Sequence, residues 1–370
     1  RLVDDLKLLN WPEEIKDSQR NWIGRSEGAE IDFPIRFEKA GARDGVITVF
    51  TTRPDTLFGA TYLVLAPEHP WVTLALDEKH NVLKNKEEVW IYAEQAKKRT
   101  ELERIAEQKE KTGIELKGVK AINPGTGKEI PVYVADYALG HYGTGALMGV
   151  PAHDERDNVF AKKYGIAIKE VIEPLVVLRT GLDAIHVNEP FTERNSVLAF
   201  VNHWSEDKYL GVMYKPTKMN ECISGGIEEG ESPIQAAQRE VREETGYTKA
   251  RFIREIGGRI HGKYYSVERN KNRFAHFTSL LFQLEDGSQE QVSEHERARH
   301  DGRWLSQEEM DNFINREEIR IAWDRLHDET CYVEEGILRN SGEFSGLTSK
   351  EATPKIAERF GRRKTTYKLR

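Results

Sequence analysis

The chain has 370 residues, 38% apolar and 32% charged, with a net charge of −7. That length allows two or three domains, and the absence of any run of about eighteen apolar residues excludes a membrane-spanning helix. The acidic balance excludes a surface that attracts nucleic acid as a whole, so such contact needs a local basic patch. The basic stretch at 358–370, ERFGRRKTTYKLR, reads as a solvated end before a contact surface. The opening RLVDDLKLLNWPEE has no signal-peptide pattern and no initiating Met, so the chain reads as an excised fragment. Cys222 and Cys331 lie far apart and form no CxxC pair, which points to a reduced, cytoplasmic protein without structural zinc.

In chain order, β-branched and aromatic residues broken by Gly and Asp predict short strands over 28–40, 45–53 and 60–67, in an antiparallel, β-barrel-like sheet. Helix formers fill 87–112 and Gly113 supplies a stop, predicting a charged helix that serves as a lid or flank. Strands follow over 117–124 and 128–139, then a helix after Pro151 with Phe160, Ala161 and Tyr164 as its buried stripe. After EVIEP at 170–174 the pattern restarts, with strands at 197–204, 210–215, 251–258 and 274–284 and a strand and helix over 304–314. The first pattern resumes near 328–332 with GILRNSGEFSG, a helix over 349–360 and a closing strand. The expected organisation is therefore α+β with α/β: a host domain of 1–173 and 331–370 interrupted by a guest of 174–330. Such an insertion is tolerated where the guest's termini lie close together at a surface loop.

The guest carries GGIEEGESPIQAAQREVREETGY at 225–247. Ser232 and Pro233 start a helix, Gln235 completes a capping box and Gly246 ends it. Glu240, Glu243 and Glu244 stand at i, i+3 and i+4 and share a face, a repulsion costing roughly a few tenths of a kcal/mol per pair. A solvated acidic face explains three glutamates alone. A divalent cation would reverse the cost, and oxygen-only ligands favour Mg²⁺ or Mn²⁺. The full pattern is Gly225, five residues, Glu231, seven residues, Arg239-Glu240-Val241, one residue, Glu243-Glu244, one residue, Gly246-Tyr247. It resembles the Nudix box, and the strand order and EHERARHDGRWLS at 294–306 also resemble Nudix hydrolases. The resemblance implies an α/β/α Nudix fold in which Glu240, Glu243, Glu244 and the Gly225 carbonyl hold Mg²⁺ or Mn²⁺. Arg239 and Glu231 would brace the loop against the helix. Glu294 or Glu296 could supply a further ligand or base, or lie on a charged surface helix. The nucleotide substrate lies in variable loops that the pattern does not specify. The alternative is a non-catalytic module for tRNA binding or docking, since folds persist where sites are lost.

In the host, Thr51, Thr52, Arg53, Asp55 and Thr56 crowd the end of an apolar strand, either as a polar turn closed by Pro54 or as a site. Gly143 and Gly145 flank Thr144, and Asp154 and Asp157 fall at i and i+3 on the next helix. Those carboxylates suit the helix dipole or a cationic ammonium. WPEEIKDSQRNWIGRSEGAEIDF at 11–33, VFTTRPDTLFGATYLVLAPEHP at 49–70, YGTGALMGVPAHDERD at 142–157, ILRNSGEFSGL at 337–347 and TTYKLR at 365–370 together resemble the editing domain of a bacterial-type leucyl-tRNA synthetase. The resemblance covers nearly everything outside the guest. No HIGH motif is present, and KMNEC at 218–222 is not a KMSKS loop, so aminoacyl-tRNA synthesis is not expected.

The resemblance implies hydrolysis of the ester on the 3′ end of mischarged tRNA(Leu), with the rest of the synthetase as partner and no cofactor. A synthetic pocket gains only about 1–3 kcal/mol from one methylene, which is why a second sieve is needed. By resemblance, Asp157 grips the α-ammonium, Thr56 blocks leucine, and Thr51, Thr52 and Arg53 order the attacking water and the oxyanion. Tyr142, Met148 and Val150 would wall the side-chain pocket, with Asp154 and His153 beside it. His153 is the only nearby candidate base, and packing or adenosine contact explains it as well. Gly149 stands where Ala is common in the family and reads as added backbone freedom.

Overall fold

The computed structural model describes residues 9, 11–12, 15–16, 25–39, 45–77, 82–100, 103–104, 111–141, 143–327 and 336–367. Tyr142, Cys331 and much of the 11–33 motif lie outside the described residues. The chain divides into two compact units, 1–172 with 338–370, and 173–337. In chain order the first segment contains β1 (Arg25–Phe37), β2 (Gly45–Thr51), β3 (Tyr62–Leu65), α1 (Pro70–Leu76), α2 (Lys86–Lys97), β4 (Gly113–Ile122), β5 (Glu129–Ala135), β6 (Ala146–Gly149) and α3 (Glu155–Tyr164). Next come β7 (Ile172–Val177), β8 (Phe191–Asn202), β9 (Tyr209–Tyr214), β10 (Met219–Glu221), β11 (Ile223–Gly226), α4 (Pro233–Thr245), β12 (Ala250–Glu255), β13 (Ile260–Ser266) and β14 (Lys271–Leu284). The chain closes with α5 (Glu294–Arg299), β15 (His300–Leu305), α6 (Gln307–Phe313), α7 (Glu317–Leu326), β16 (Gly336–Leu338), α8 (Ser349–Phe360) and β17 (Gly361–Tyr367).

The first unit is built on β1, whose alternate residues Ala29, Ile31, Phe33 and Ile35 are buried, as one face of a strand requires. Along its length β1 pairs antiparallel with β17, β2 and β4. The sheet order is β17-β1-β4-β5-β3-β6, with β2 joined to β1. This corrects the barrel-like expectation: among the described residues no ladder returns from β6 to close the sheet, which is open. The four-residue β6 pairs with β3 and stands at the end of the sheet order. The helix expected over 87–112 also ends early, at Lys97. Thr100 pairs through its amide and hydroxyl with Glu103, a local cap that starts a new turn. Nor is α2 wholly solvated, since Val89, Ala93 and Ala96 are buried. Where this unit is interrupted, its two cut ends are tied together, the Arg339 N–H donating to the Val171 carbonyl at 2.9 Å.

The second unit is a mixed sheet centred on β8, which runs parallel to β14 from Phe191 to Asn202 and antiparallel to β11. Side chains alternate across it. Val197, Ala199 and Val201 pack with Ala236, Ala237 and Val241 of α4. Leu198 and Phe200 pack on the opposite face with Ile319 and Trp323 of α7. Helices therefore cover both faces of the sheet. Among the described residues no helix is long and apolar enough to cross a membrane.

Candidate active sites

In the first unit, β2 delivers the threonine-rich run to a 3-10 turn over Pro54–Gly59, where the fixed φ of Pro54 suits the first helical position. Thr51 Oγ1 accepts the Arg53 N–H at 3.0 Å. The Arg53 guanidinium grips Asp55 through Nε to Oδ1 at 3.0 Å and Nη2 to Oδ2 at 2.9 Å. Thr56 is buried and its hydroxyl donates to the Arg53 carbonyl at 2.8 Å, whereas Thr52 is exposed. Buried Asn123 clamps the turn from below, donating to Leu57 O at 2.8 Å and Ala60 O at 3.1 Å. The polar turn expected around Pro54 is present, and Thr51, Arg53, Asp55 and Thr56 are bonded to one another within it.

The second segment lies against the first. A Cβ on Gly143 would fall 2.8 Å from Phe50 Cβ, and Thr61 N–H donates to Gly149 O at 3.0 Å. Met148 and Val150 are buried. His153 Nε2 accepts the Val171 N–H at 3.1 Å, which ties that ring nitrogen into packing. Asp154 is the N-cap of α3, accepting from the amides of Arg156 at 3.0 Å and Asp157 at 3.2 Å. Its carboxylate thus serves the helix start rather than a helix face shared with Asp157.

Both oxygens of the Asp157 carboxylate are hydrogen-bonded. Oδ2 accepts the Val150 N–H at 2.8 Å, and Oδ1 accepts the hydroxyls of Tyr62 at 3.1 Å and Tyr137 at 3.2 Å. Burial, and then the charge of Asp154, push its carboxyl up to about 7. Tyr62 is itself stacked on Phe160 of α3, ring centroids 5.4 Å apart. The two tyrosines were missed in the sequence, because they lie 95 and 20 residues from Asp157 and no local spacing marks them. Gly149 acquires a steric reason here: a Cβ would fall 2.2 Å from Tyr62 Cε1. Backbone freedom is not its role.

In the second unit, Ser232 and Gln235 form a reciprocal capping box at the start of α4, and Gly246 ends it with φ 82°. Arg239 is the hub. Nε and Nη2 bind the two Glu231 oxygens, each at 3.0 Å, and Nη2 also donates to Gly226 O at 2.8 Å. Nη1 binds Glu240 at 2.8 Å and Glu243 at 3.2 Å. A Cβ on Gly225 would fall 2.0 Å from the Glu240 carboxyl carbon, so only glycine lets β11 pass against that carboxylate.

Gly225, Glu221, Glu240, Glu243, Glu244 and Glu296 all line one cavity of about 610 Å³. Burial first, then the charges of Glu221, Glu240 and Glu296, push Glu244 well above the usual carboxylate range. Glu221 rises to about 7, with burial the main cause, Arg316 opposing and Glu318 adding. Glu221 was not singled out in the sequence, although a glutamate at the end of a strand just ahead of the glycines was the available signal. Of the pair Glu294 and Glu296, only Glu296 lines the cavity, 2.9 Å from His300; Glu294 is exposed. Among the described residues, no three His, Cys, Asp or Glu side chains stand close enough together to hold a metal ion as they are arranged. Arg239 holds Glu240 and Glu243 instead. The donor set nevertheless fits a hard divalent cation: it is all oxygen, and such a charge offsets both the burial and the neighbouring carboxylates that raise Glu244.

The family model described as leucyl-tRNA synthetase, editing domain, matches residues 20–205, half of the chain. The NUDIX domain model matches 193–324. A leucine–tRNA ligase from Chlorobaculum parvum is 55% identical over 173 residues, which are 47% of this chain and 20% of that protein. The chain thus spans about a fifth of the length of the curated relatives it matches. Among solved structures, the ternary complex of Agrobacterium radiobacter LeuRS with tRNA and LeuAMS is 40% identical, over 46% of this chain and 19% of that one, at a TM-score of 0.38. The dihydroneopterin triphosphate pyrophosphohydrolase of E. coli is 18% identical, over 36% of this chain and 95% of that one, at a TM-score of 0.30.

The Asp157 geometry makes a signed stability prediction. Its folded carboxyl titrates near 7 against an ordinary 3.8, so the folded state holds the proton more tightly and loses stability as pH rises from 3.8 to about 7. Asp157→Asn cannot ionise, so its denaturant midpoint relative to wild type should shift in its favour between pH 5 and pH 8. An unchanged difference would show that Asp157 is not buried as described.

Proposed function

The chain belongs to the leucyl-tRNA synthetase editing-domain family, and from that premise we propose that its host domain, 1–173 and 331–370, hydrolyses the ester of mischarged aminoacyl-tRNA(Leu). We propose that its guest, 174–330, is a divalent-metal-dependent hydrolase of nucleoside diphosphate derivatives. The observation that carries the first reading is the clamp on Asp157. An ionised carboxylate has about four acceptor sites, and three donors already fix its orientation. An α-ammonium can take the remaining site, and its charge would keep Asp157 ionised at neutral pH.

An aminoacyl ester is already activated, so holding a water and stabilising the oxyanion suffices. Thr51, Thr52 and Arg53 take that work, with Asp55 fixing the Arg53 guanidinium. Thr56 is anchored to the Arg53 carbonyl, which holds its rotamer, and is the proposed gate against leucine. Met148 and Val150 wall the side-chain pocket, with His153 and Asp154 supporting the loop behind it. The proposed partners are the tRNA 3′ end and the rest of a synthetase, and the proposed location is the cytoplasm.

In the guest, Glu240, Glu243, Glu244 and the Gly225 carbonyl would hold Mg²⁺ or Mn²⁺, which supplies an activated water and neutralises a pyrophosphate leaving group. Arg239 and Glu231 position the glycine loop against α4, and Glu296 faces the same cavity as a candidate base. A docking module is the second reading, favoured only by the hold that Arg239 already has on Glu240 and Glu243.

Two sets of variants test these readings. In the whole synthetase, Asp157→Ala should lower deacylation of mischarged tRNA(Leu) by at least a hundredfold, and Thr56→Ala should make correctly charged Leu-tRNA a substrate. Wild-type deacylation in the first, or intact protection of Leu-tRNA in the second, would reject the assignment. For the guest, the combined Glu243→Gln and Glu244→Gln change should remove Mg²⁺- or Mn²⁺-dependent turnover of a nucleoside diphosphate panel. A folded wild type with no turnover on the panel would favour the docking module.

A further inference from the structure

One carboxylate in the guest's cavity is not explained by holding a cation. Glu318, the second residue of α7, is 2% exposed and lines the cavity that Gly225 and Glu244 also line. One of its oxygens, Oε1, is bound by Arg316. The other, Oε2, is buried and has no hydrogen-bond partner. Arg316 is not free to turn to it. Its guanidinium also meets Met219 Sδ at 3.3 Å, stands 3.9 Å from Glu221, and lies 5.5 Å from the centroid of the Tyr264 ring. Thr217, two residues before Met219, has a buried Oγ1 that is likewise without a partner and lines the same cavity.

A buried acceptor left unmade is costly, and native proteins tolerate it where a ligand or water completes it. A carboxylate beside a guanidinium only accepts, so the missing group is an N–H or O–H donor. Phosphates offer none at neutral pH and would be repelled by the charge. Tyr264, Phe277 and Ile319 also line the cavity, giving flat apolar walls that suit an aromatic base better than a ribose. A volume of about 610 Å³ lies within the range of small-molecule pockets. Glu318 Oε2 can only accept, and Thr217 Oγ1, a hydroxyl that can also accept, lines the same cavity, so an amino group, with two hydrogens to give, is a ligand group that both can bind.

We propose that Glu318 and Thr217 form a nucleobase pocket that selects nucleoside diphosphate derivatives bearing an exocyclic amino group. The proposal rests on the reading of the guest as a nucleotide hydrolase. Binding to a built hydrogen-bond site discriminates strongly against an analogue lacking the group, because the site's polar atoms are then left unpaired. Glu318→Gln replaces an acceptor by an amide that also donates, and so should welcome an oxo group where the carboxylate rejects it. Thr217→Val removes the second contact while keeping the shape.

The test is calorimetric titration of the full chain, with Mg²⁺, using non-hydrolysable α,β-methylene nucleoside diphosphates in matched pairs. The pairs are adenine with hypoxanthine, guanine with hypoxanthine, and cytosine with uracil; hydrolysis of the natural counterparts is measured in parallel. The amino-bearing member of at least one pair should bind tenfold or more tightly than its partner. Glu318→Gln and Thr217→Val should each bring that ratio within threefold of one, and if Glu318→Gln fails to fold, Thr217→Val carries the comparison. Equal binding within every pair, or a preference that survives in both folded variants, overturns the pocket and leaves the hydrolase reading to its own turnover data. Amino preference without hydrolysis of any natural counterpart keeps the pocket and removes the hydrolase. Absence of binding by every analogue overturns the pocket, and the parallel hydrolysis measurement decides the hydrolase reading separately.

Discussion

A carboxylate taken out of water has to be met by donors or by a cation, and both units are arranged around carboxylates treated in this way. In the first unit most of the demand is satisfied internally. Asp157 receives one amide and two phenols, Asp55 a bidentate guanidinium, and Asp136 the Arg99 guanidinium with the amide and hydroxyl of Thr112. In the second unit one arginine serves Glu231, Glu240 and Glu243, while Glu244 and Glu221 remain in a raised, mutually repelling group. Asp157 keeps one acceptor site open beside its three donors, whereas Glu244 and Glu221 leave room for a whole cation, and the two units differ in that degree.

The division suits the two chemistries proposed. Ester hydrolysis needs a fixed anchor for an ammonium and a positioned water; the donor-held Asp157 suits the first and the polar turn around Arg53 the second. Phosphoanhydride hydrolysis needs charge neutralisation at the leaving group, and a cavity whose walls are acidic on the side of α4 invites a cation there. The interruption of the first unit between Val171 and Arg339 fits this picture of two self-contained sites, because the cut ends are hydrogen-bonded to one another.

Much of this was legible in the sequence where the signal was local. The capping box of Ser232 and Gln235, the left-handed Gly246 and the shared face of the α4 glutamates all lie within one helix, so spacing alone reveals them. The strands of both units were visible as β-branched runs. Tertiary partners were not. Tyr62 and Tyr137 reach Asp157 from distant strands and loops, and Gly149 makes sense only once the Tyr62 ring is placed against it. The barrel expectation failed for the same reason: strand content is a local property, whereas closure depends on which edges meet. The charged helix over 87–112 was overextended because composition favours helix throughout, while the pairing of Thr100 with Glu103 starts a separate turn. Tyr142, named for the pocket wall, lies outside the described residues.

The central claim is that one chain holds two independent hydrolytic sites, and a crossed experiment on a single preparation tests it most directly. Deacylation of mischarged tRNA(Leu) and metal-dependent nucleotide turnover would both be measured in wild type, in Asp157→Ala and in the Glu243→Gln, Glu244→Gln double variant. The account predicts that each change abolishes one activity and leaves the other within twofold of wild type. Loss of deacylation in the glutamate variant, or of nucleotide turnover in Asp157→Ala, with both proteins folded, would contradict it.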